Sequence, residues 1–128
     1  MANNPPIPKK GKTRKIKLSK VDKLMSDWIR ERDGWQCQRC AANFIPPTSG
    51  LHHAHFIGRG HKSTRWCPEN GVALCYGCHS HFDGAGREEF REFMLSRLGK
   101  KKFEELLEKG RQTVSESKEK IKALSWLQ

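Results

Sequence analysis

Two Cys-x-x-Cys pairs constrain this chain more than any other feature of its sequence. Cys37 and Cys40 form the first pair, Cys75 and Cys78 form the second, and 34 residues separate the pairs. Four thiolates complete the tetrahedral shell that zinc prefers, so the pattern predicts a closed, structural zinc site. A β-hairpin inserted between the two knuckles would need an interval of this length. The fifth cysteine, Cys67, is expected to stay a reduced side chain without metal.

The composition of the chain is consistent with a fold that depends on a structural metal. Its 128 residues are 35% hydrophobic and 30% charged, so a large apolar core is not expected. The formal net charge of +11 predicts a polyanionic partner such as DNA or RNA. Residues 1–15 are predicted to be a disordered basic tail, which would bind phosphates without reading sequence. The sequence has no run of 18 apolar residues, so we expect a soluble, cytoplasmic chain with no membrane partner and with reduced cysteines.

Periodicity and breaker residues predict a small α+β fold. A helix over residues 20–33, capped by Ser19, is expected to pack its apolar stripe on the zinc domain. Strands over 51–57 and 71–74 flank a loop at 58–70, and a helix over 75–82 follows. Further helices are predicted at 87–98 and 101–109. Residues 112–124 are expected to be a helix packed on a neighbour, a dimer contact or a fraying end. The predicted organisation is a tail (1–15), a main domain (16–110, core 35–98) and a C-terminal helical extension (111–128).

Between the cysteine pairs lie histidines and an asparagine at characteristic intervals. His55 opens the run His-Phe-Ile-Gly-Arg, Asn70 lies 15 residues further on, and His79 follows Asn70 by nine residues and directly succeeds Cys78. Together these residues resemble the HNH (His-Me finger, ββα-metal) nuclease family in its four-cysteine zinc subgroup. They are also similar to phage HNH proteins of the NinG recombination type. The resemblance covers residues 37–83 and, more loosely, the helical region over 87–107.

The resemblance implies a strand–loop–strand–helix core, stapled by structural zinc and flanked by an N-terminal helix and C-terminal helices. It also implies one catalytic divalent metal (Mg²⁺, Mn²⁺, Ni²⁺ or Zn²⁺) and the activity of a DNA endonuclease or nickase, in phage-related DNA processing or recombination. Such a protein would work in the host cytoplasm if it is phage-encoded. His55 would be the general base, since a histidine that titrates near neutrality can deprotonate water. Asn70 would hold the hairpin and the His55 ring, and His79 would be the firmest metal ligand.

One position departs from the family pattern. The residue before the base is usually an acidic or histidine metal ligand, but here it is Ala54. His53 is the first choice as its replacement, because strand side chains alternate and His53 therefore shares a face with His55. His52 is the alternative if the strand is bulged or shifted in register; in a shifted register His52 and His53 would be the ligand and base. Asp83, one helical turn after His79, either completes the metal site or caps the helix.

The loop between the strands supplies the basic side chains expected to contact DNA. Arg59 and Arg65 can bind phosphate through paired hydrogen bonds, and Lys62 adds a third positive charge. His61 is expected to be solvated, and His81 is expected to be a surface or packing residue. The alternative function is that of a noncatalytic zinc-finger protein for DNA binding or recombination, which Ala54 keeps open. The sequence specifies neither a recognition sequence nor an oligomeric state.

Overall fold

A computed structural model describes residues 17–127, so the tail predicted for residues 1–15 lies outside the described part of the chain. The described residues form one two-stranded antiparallel sheet and six helices, which confirms the small α+β class. In chain order the elements are α1 (Val21–Arg32), β1 (Leu51–His55), α2 (Lys62–Arg65), β2 (Gly71–Cys75), α3 (Tyr76–Asp83), α4 (Arg87–Leu98), α5 (Lys100–Gly110) and α6 (Glu116–Leu127).

The hairpin and α3 form a continuous unit. Leu51 pairs with Cys75 and His55 pairs with Gly71, and every residue of β1 between them has one partner in β2. Cys75 ends β2 and also caps α3, because its Sγ accepts a hydrogen bond from the N–H of Cys78. With no loop between strand and helix, α3 lies directly beside β1.

The apolar residues divide into two clusters. The first joins the hairpin to α3, α4 and α5, and at its centre the rings of Phe82 and Phe90 stack with their centroids 4.5 Å apart. The second joins α1 to α6 around the buried Trp66. The apolar face of α1 packs on α6 and Trp66, and the same helix also lies against both strands of the hairpin, with Ile29 beside Gly71, so the expected packing on the zinc domain describes part of its contacts. Of the three alternatives for residues 112–124, the structure has the packed helix.

Two local expectations for the hairpin were wrong. Strand β1 ends at His55 and not at residue 57, because the backbone N–H and C=O of Ile57 bond to the Asn70 side chain instead of to β2. The segment 58–70 is not all loop, since it contains α2 and a 3-10 turn over Pro68–Asn70. Ser19 is not a cap either: it lies inside a 3-10 turn, and Lys20 holds the N-cap position of α1.

A buried carboxylate holds α1 against the hairpin. Asp33 follows α1 directly, and its side chain accepts hydrogen bonds from the N–H of Ala73 in β2 (2.9 Å) and from Arg97 in α4 (2.8 Å). Burial raises the pKa of this carboxyl, but the hydrogen bonds from Arg32 and Ala73 outweigh burial and leave the pKa below its usual value. Asp33 thereby sets the position of α1 relative to β2.

Candidate active site and cysteine cluster

The four predicted zinc ligands converge. The sulfur atoms of Cys37, Cys40, Cys75 and Cys78 all lie within 4.8 Å of one another, and those of Cys40 and Cys75 are 3.8 Å apart. Tetrahedral zinc with bonds of about 2.3 Å places its sulfur ligands about 3.8 Å apart. The cluster could therefore hold a structural metal such as zinc. Cys67 lies elsewhere, buried with its sulfur 3.7 Å from the carbonyl oxygen of Ser63.

Backbone amides and one arginine support these thiolates. In each knuckle the N–H of the second cysteine points at the sulfur of the first, at 3.5 Å for Cys37 and 3.4 Å for Cys75. Burial raises the pKa of Cys37, but backbone N–H groups overcome this effect and bring the pKa to about 6, which favours the thiolate. Arg39 donates to the sulfur of Cys78 at 3.4 Å and pairs with Glu89. These contacts are typical of the outer shell of a metal site.

A pocket of about 500 Å³ lies where the end of the hairpin meets α3 and α4. It is lined by His53, His55, Phe56, Gly58, Arg59, His79, Asp83 and Arg87. The proposed base and the proposed metal ligand, which are 24 positions apart in the sequence, therefore face one cavity.

His55 has one ring nitrogen engaged by the backbone. Its Nε2 lies 3.2 Å from the carbonyl oxygen of Arg65. A carbonyl oxygen can only accept, so the bond requires Nε2 to carry the proton, which leaves Nδ1 of the neutral ring as a proton acceptor. Burial, followed by the positive charge of Arg59, lowers the pKa of His55 to about 4. The ring is therefore neutral near pH 7, as a general base must be, but its pKa lies below the near-neutral value on which the sequence analysis based this role.

Asn70 holds the chain segment that orients His55. It is fully buried, and its Oδ1 accepts from the N–H of Ile57 at 2.7 Å. Its Nδ2 donates to the carbonyl oxygens of Ile57 (2.9 Å) and Thr64 (3.2 Å). Since Thr64 precedes Arg65, the side chain links the end of β1 to the carbonyl that contacts His55. This geometry agrees with the positioning role expected for Asn70.

His79 lies between two further donor groups. Its Nε2 is 3.1 Å from a carboxylate oxygen of Asp83, and its Nδ1 is 3.0 Å from Nδ1 of His52. Burial lowers the pKa of His79, and Asp83 partly offsets that effect. Asp83 thus points at His79, so the alternative in which it only caps the helix does not describe its contact. An imidazole pair and a carboxylate are a donor set that suits several divalent metals.

His53, the first choice for the missing metal ligand, is enclosed more tightly than the other histidines of the pocket. Its ring does share a face with His55, and the two centroids are 4.1 Å apart. However, its Nδ1 lies 3.1 Å from the hydroxyl of Ser26, and its Nε2 is buried with no hydrogen-bond partner among residues 17–127. His53 therefore lines the pocket with one ring nitrogen engaged by Ser26 and the other buried. His52, which the sequence analysis required a bulge or shift to use, contacts His79 from a strand with regular pairing.

Within the described part of the chain, the cysteines are the one group of three or more metal-binding residue types whose ligand atoms all lie within 4.8 Å. His53, His79 and Asp83 therefore do not converge as the sequence analysis expected. His79 instead separates His52 from Asp83, with one partner on each ring nitrogen.

The basic side chains near the pocket differ in their exposure and in their ion pairs within the protein. Arg59 lines the pocket, is 60% exposed, and lies 3.7 Å from Asp22. Arg65 is only 16% exposed and is held by two hydrogen bonds to Asp22, so its guanidinium is committed within the protein and not directed at phosphate. Lys62 lies 3.6 Å from Glu116 of α6. Of the three basic residues proposed for DNA contact, Arg59 is the one placed at the pocket.

Arg87 is a pocket residue that the sequence analysis missed. Its guanidinium lies 4.7 Å above the ring of Phe56 and donates to the carbonyl oxygen of that residue. An arginine in the first turn of a helix is electrostatically unfavourable, because the helix dipole is positive at that end. That unfavourable position directly after Gly84-Ala85-Gly86 is the sequence signal that could have identified Arg87.

The two remaining histidines lie outside the pocket. His81 is 2.9 Å from Glu89, on the side of α3 that faces the cysteine cluster's Arg39, and His61 is exposed before α2. The exposure of His61 agrees with the solvated position expected for it, and the partly buried His81 packs beside Gly86, which agrees with the packing alternative.

Among residues 17–127 every helix is too short or too polar to cross a membrane. The chain matches no model of a known protein family, no curated protein and no solved structure.

Proposed function

We propose that this protein is a metal-dependent HNH endonuclease or nickase that hydrolyses DNA phosphodiester bonds. The observation that carries the proposal is the shared pocket: His55, with Nδ1 left as an acceptor, lines the same cavity as the His79–Asp83 pair. A DNA-binding zinc module has no need of such an arrangement.

The proposed reaction begins at His55. Its Nδ1 accepts a proton from water while the water oxygen forms a bond to phosphorus and the bond to the 3′-oxygen breaks. The products are a 5′-phosphate and a 3′-hydroxyl, and solvent supplies the proton of the hydroxyl. The hydrogen bond from Nε2 to the carbonyl of Arg65 keeps the proton on Nε2 and leaves Nδ1 as the accepting nitrogen.

Two arginines that line the pocket would bind the substrate phosphate. Arg59 comes from the loop after β1 and Arg87 from the start of α4. The stacking of Arg87 on Phe56 orients its guanidinium before substrate arrives, which lowers the entropy lost on binding. A divalent metal held by His79 and Asp83, with His52 adjacent, would place positive charge on a non-bridging oxygen and on the departing 3′-oxygen.

A noncatalytic, zinc-stapled DNA-binding protein is the second candidate. The observation in its favour is that Ala54 replaces the usual ligand and that the remaining donors bond to one another instead of converging. Such a protein would use the net charge of +11 to bind DNA without cutting it.

Nicking of supercoiled plasmid separates the two candidates. The purified protein is incubated with plasmid and with Mg²⁺, Mn²⁺, Ni²⁺ or Zn²⁺ in turn, and DNA binding is measured in parallel by gel shift. The endonuclease should nick with at least one metal, and His55→Ala and His79→Ala should abolish nicking while leaving the gel shift intact. The matched control is His61→Ala, which removes an exposed histidine outside the pocket and should nick like the parent. A gel shift without nicking in any metal would support the second candidate, and nicking by His55→Ala at the parental rate would remove His55 as the base.

A further inference from the structure

Two polar residues on one face of α1 lie behind the proposed base. Asp22 and Ser26 are four positions apart, so their side chains are neighbours on the helix surface. Neither residue belongs to the hairpin and helix that carry the proposed chemistry. Each one nevertheless contacts a group that in turn touches His55.

Ser26 acts on the face of the His55 ring. Its hydroxyl lies 3.1 Å from Nδ1 of His53, and the His53 ring packs against His55 with a centroid distance of 4.1 Å and an interplanar angle of 32°. The far edge of His53 is closed by Gly71, where an added Cβ would lie 2.6 Å from Nε2. His53 is thus held between α1 and β2, and it blocks movement of the His55 ring toward α1.

Asp22 acts on the edge of the same ring. Its carboxylate accepts hydrogen bonds from Nε (3.1 Å) and Nη2 (2.6 Å) of Arg65 and from the indole N–H of Trp66 (2.8 Å). These three bonds hold the end of α2 against α1. The carbonyl oxygen of Arg65, which is 3.2 Å from Nε2 of His55, is part of that held segment.

We infer that Asp22 and Ser26 of α1 are positioning residues that fix the orientation and tautomer of His55, Asp22 through the Arg65 carbonyl and Ser26 through the His53 ring. The catalytic consequence rests on the proposed function, whereas the effect on the His55 ring does not. Helix α1 then helps to position the catalytic base, in addition to packing against α6. Loss of either contact frees the ring to rotate or to exchange its proton between nitrogens, and a misplaced base lowers the rate of proton transfer.

The test compares Asp22→Asn and Ser26→Ala with the parent. Asp27→Asn is the matched control, because it removes a carboxylate of the same helix whose ion pairs, with Lys23 and Arg30, include neither Arg65 nor a histidine of the pocket. Ser26→Thr keeps the hydroxyl and tests rescue. Zinc content and thermal unfolding establish that each variant is folded.

The first readout is the tautomer of His55, measured from the ring nitrogen shifts of ¹⁵N-labelled protein without DNA. The parent and Asp27→Asn should show one tautomer with the proton on Nε2, whereas Asp22→Asn and Ser26→Ala should show a mixture, and Ser26→Thr should return toward the parent. The second readout is plasmid nicking, in which kcat should fall by about 10- to 100-fold in the two test variants while KM stays within about twofold.

Unchanged tautomers in folded Asp22→Asn and Ser26→Ala would overturn the inference. A changed tautomer together with no nicking by the parent in any metal would leave the positioning role standing and overturn the proposed endonuclease instead. A rise in KM or a loss of DNA binding without a fall in kcat would also contradict the inference, because positioning of a base acts on the chemical step.

Discussion

Replacement of Asn70 tests whether one buried amide holds the loop that carries the base. The side chain is fully buried and makes three hydrogen bonds, one as acceptor from the N–H of Ile57 and two as donor to the carbonyls of Ile57 and Thr64. Asn70→Ala removes all three and puts nothing in their place. The Thr64 carbonyl is buried and the Ile57 groups are partly buried, so the variant leaves them poorly placed to bond water instead.

The expected loss is about 4 kcal/mol of unfolding free energy. A buried N–H without an acceptor costs about 2 kcal/mol, and each carbonyl that loses its donor costs about 1 kcal/mol. Domains of this size are stable by about 5–15 kcal/mol, so the variant should lose a large fraction of its stability. Asn70→Asp keeps the acceptor but places an oxygen against two carbonyl oxygens. We expect it to be similarly destabilised at pH 7 and to recover partly at low pH, where a protonated carboxyl can donate.

The assay is urea unfolding at pH 7 with zinc in fixed excess, followed by tryptophan fluorescence. The control is Glu69→Ala, which alters the adjacent exposed residue and should change the unfolding free energy by less than about 0.5 kcal/mol. A loss below about 1 kcal/mol in Asn70→Ala would refute the reasoning, because the three bonds would then have no more value than bonds to water.

Three further outcomes are expected. Burial lowers the pKa of His53 from 6.5 to about 2, so the unfolded chain takes up a proton at this residue before the folded protein does. The contribution of His53 to the unfolding free energy is therefore complete above pH 6.5 and falls by about 2 kcal/mol by pH 5. In urea unfolding, His53→Gln should lose about 2 kcal/mol less unfolding free energy than the parent between pH 7 and pH 5. Cys78→Ser should abolish stoichiometric zinc in elemental analysis, whereas Cys67→Ser, outside the cluster, should retain it. Gly71→Ala should lower the unfolding free energy by about 2 kcal/mol, because the added Cβ would lie 2.6 Å from the His53 ring. The control Gly77→Ala, whose added Cβ has no described atom within 4 Å, should be neutral or stabilising. Equal effects of the two substitutions would contradict the packing at Gly71.

Local patterns in the sequence were sufficient for most of the longer helices, for the hairpin and for the cysteine cluster, but not for α2. Helix α4 begins and ends at the residues predicted from its spacing and its flanking glycines. The two Cys-x-x-Cys turns converge as expected, because each knuckle is set by hydrogen bonds within four residues and the hairpin between them returns the chain to its starting point. The shared face of His53 and His55 follows from strand alternation and was also correct.

Only the tertiary structure decided which helix covers each face of β1. Strand alternation places His52 and His53 on opposite faces, but it does not predict that α1 covers one face and α3 the other. The packing of α1 encloses His53 with Ser26, whereas α3 brings His79 to His52. In the same way, Asp22 removes Arg65 from the pocket by an ion pair across 43 positions of sequence, a distance over which no local pattern carries information. Side-chain roles at this site depend on which helix covers which face, and that is determined by burial of the two apolar clusters in the whole fold.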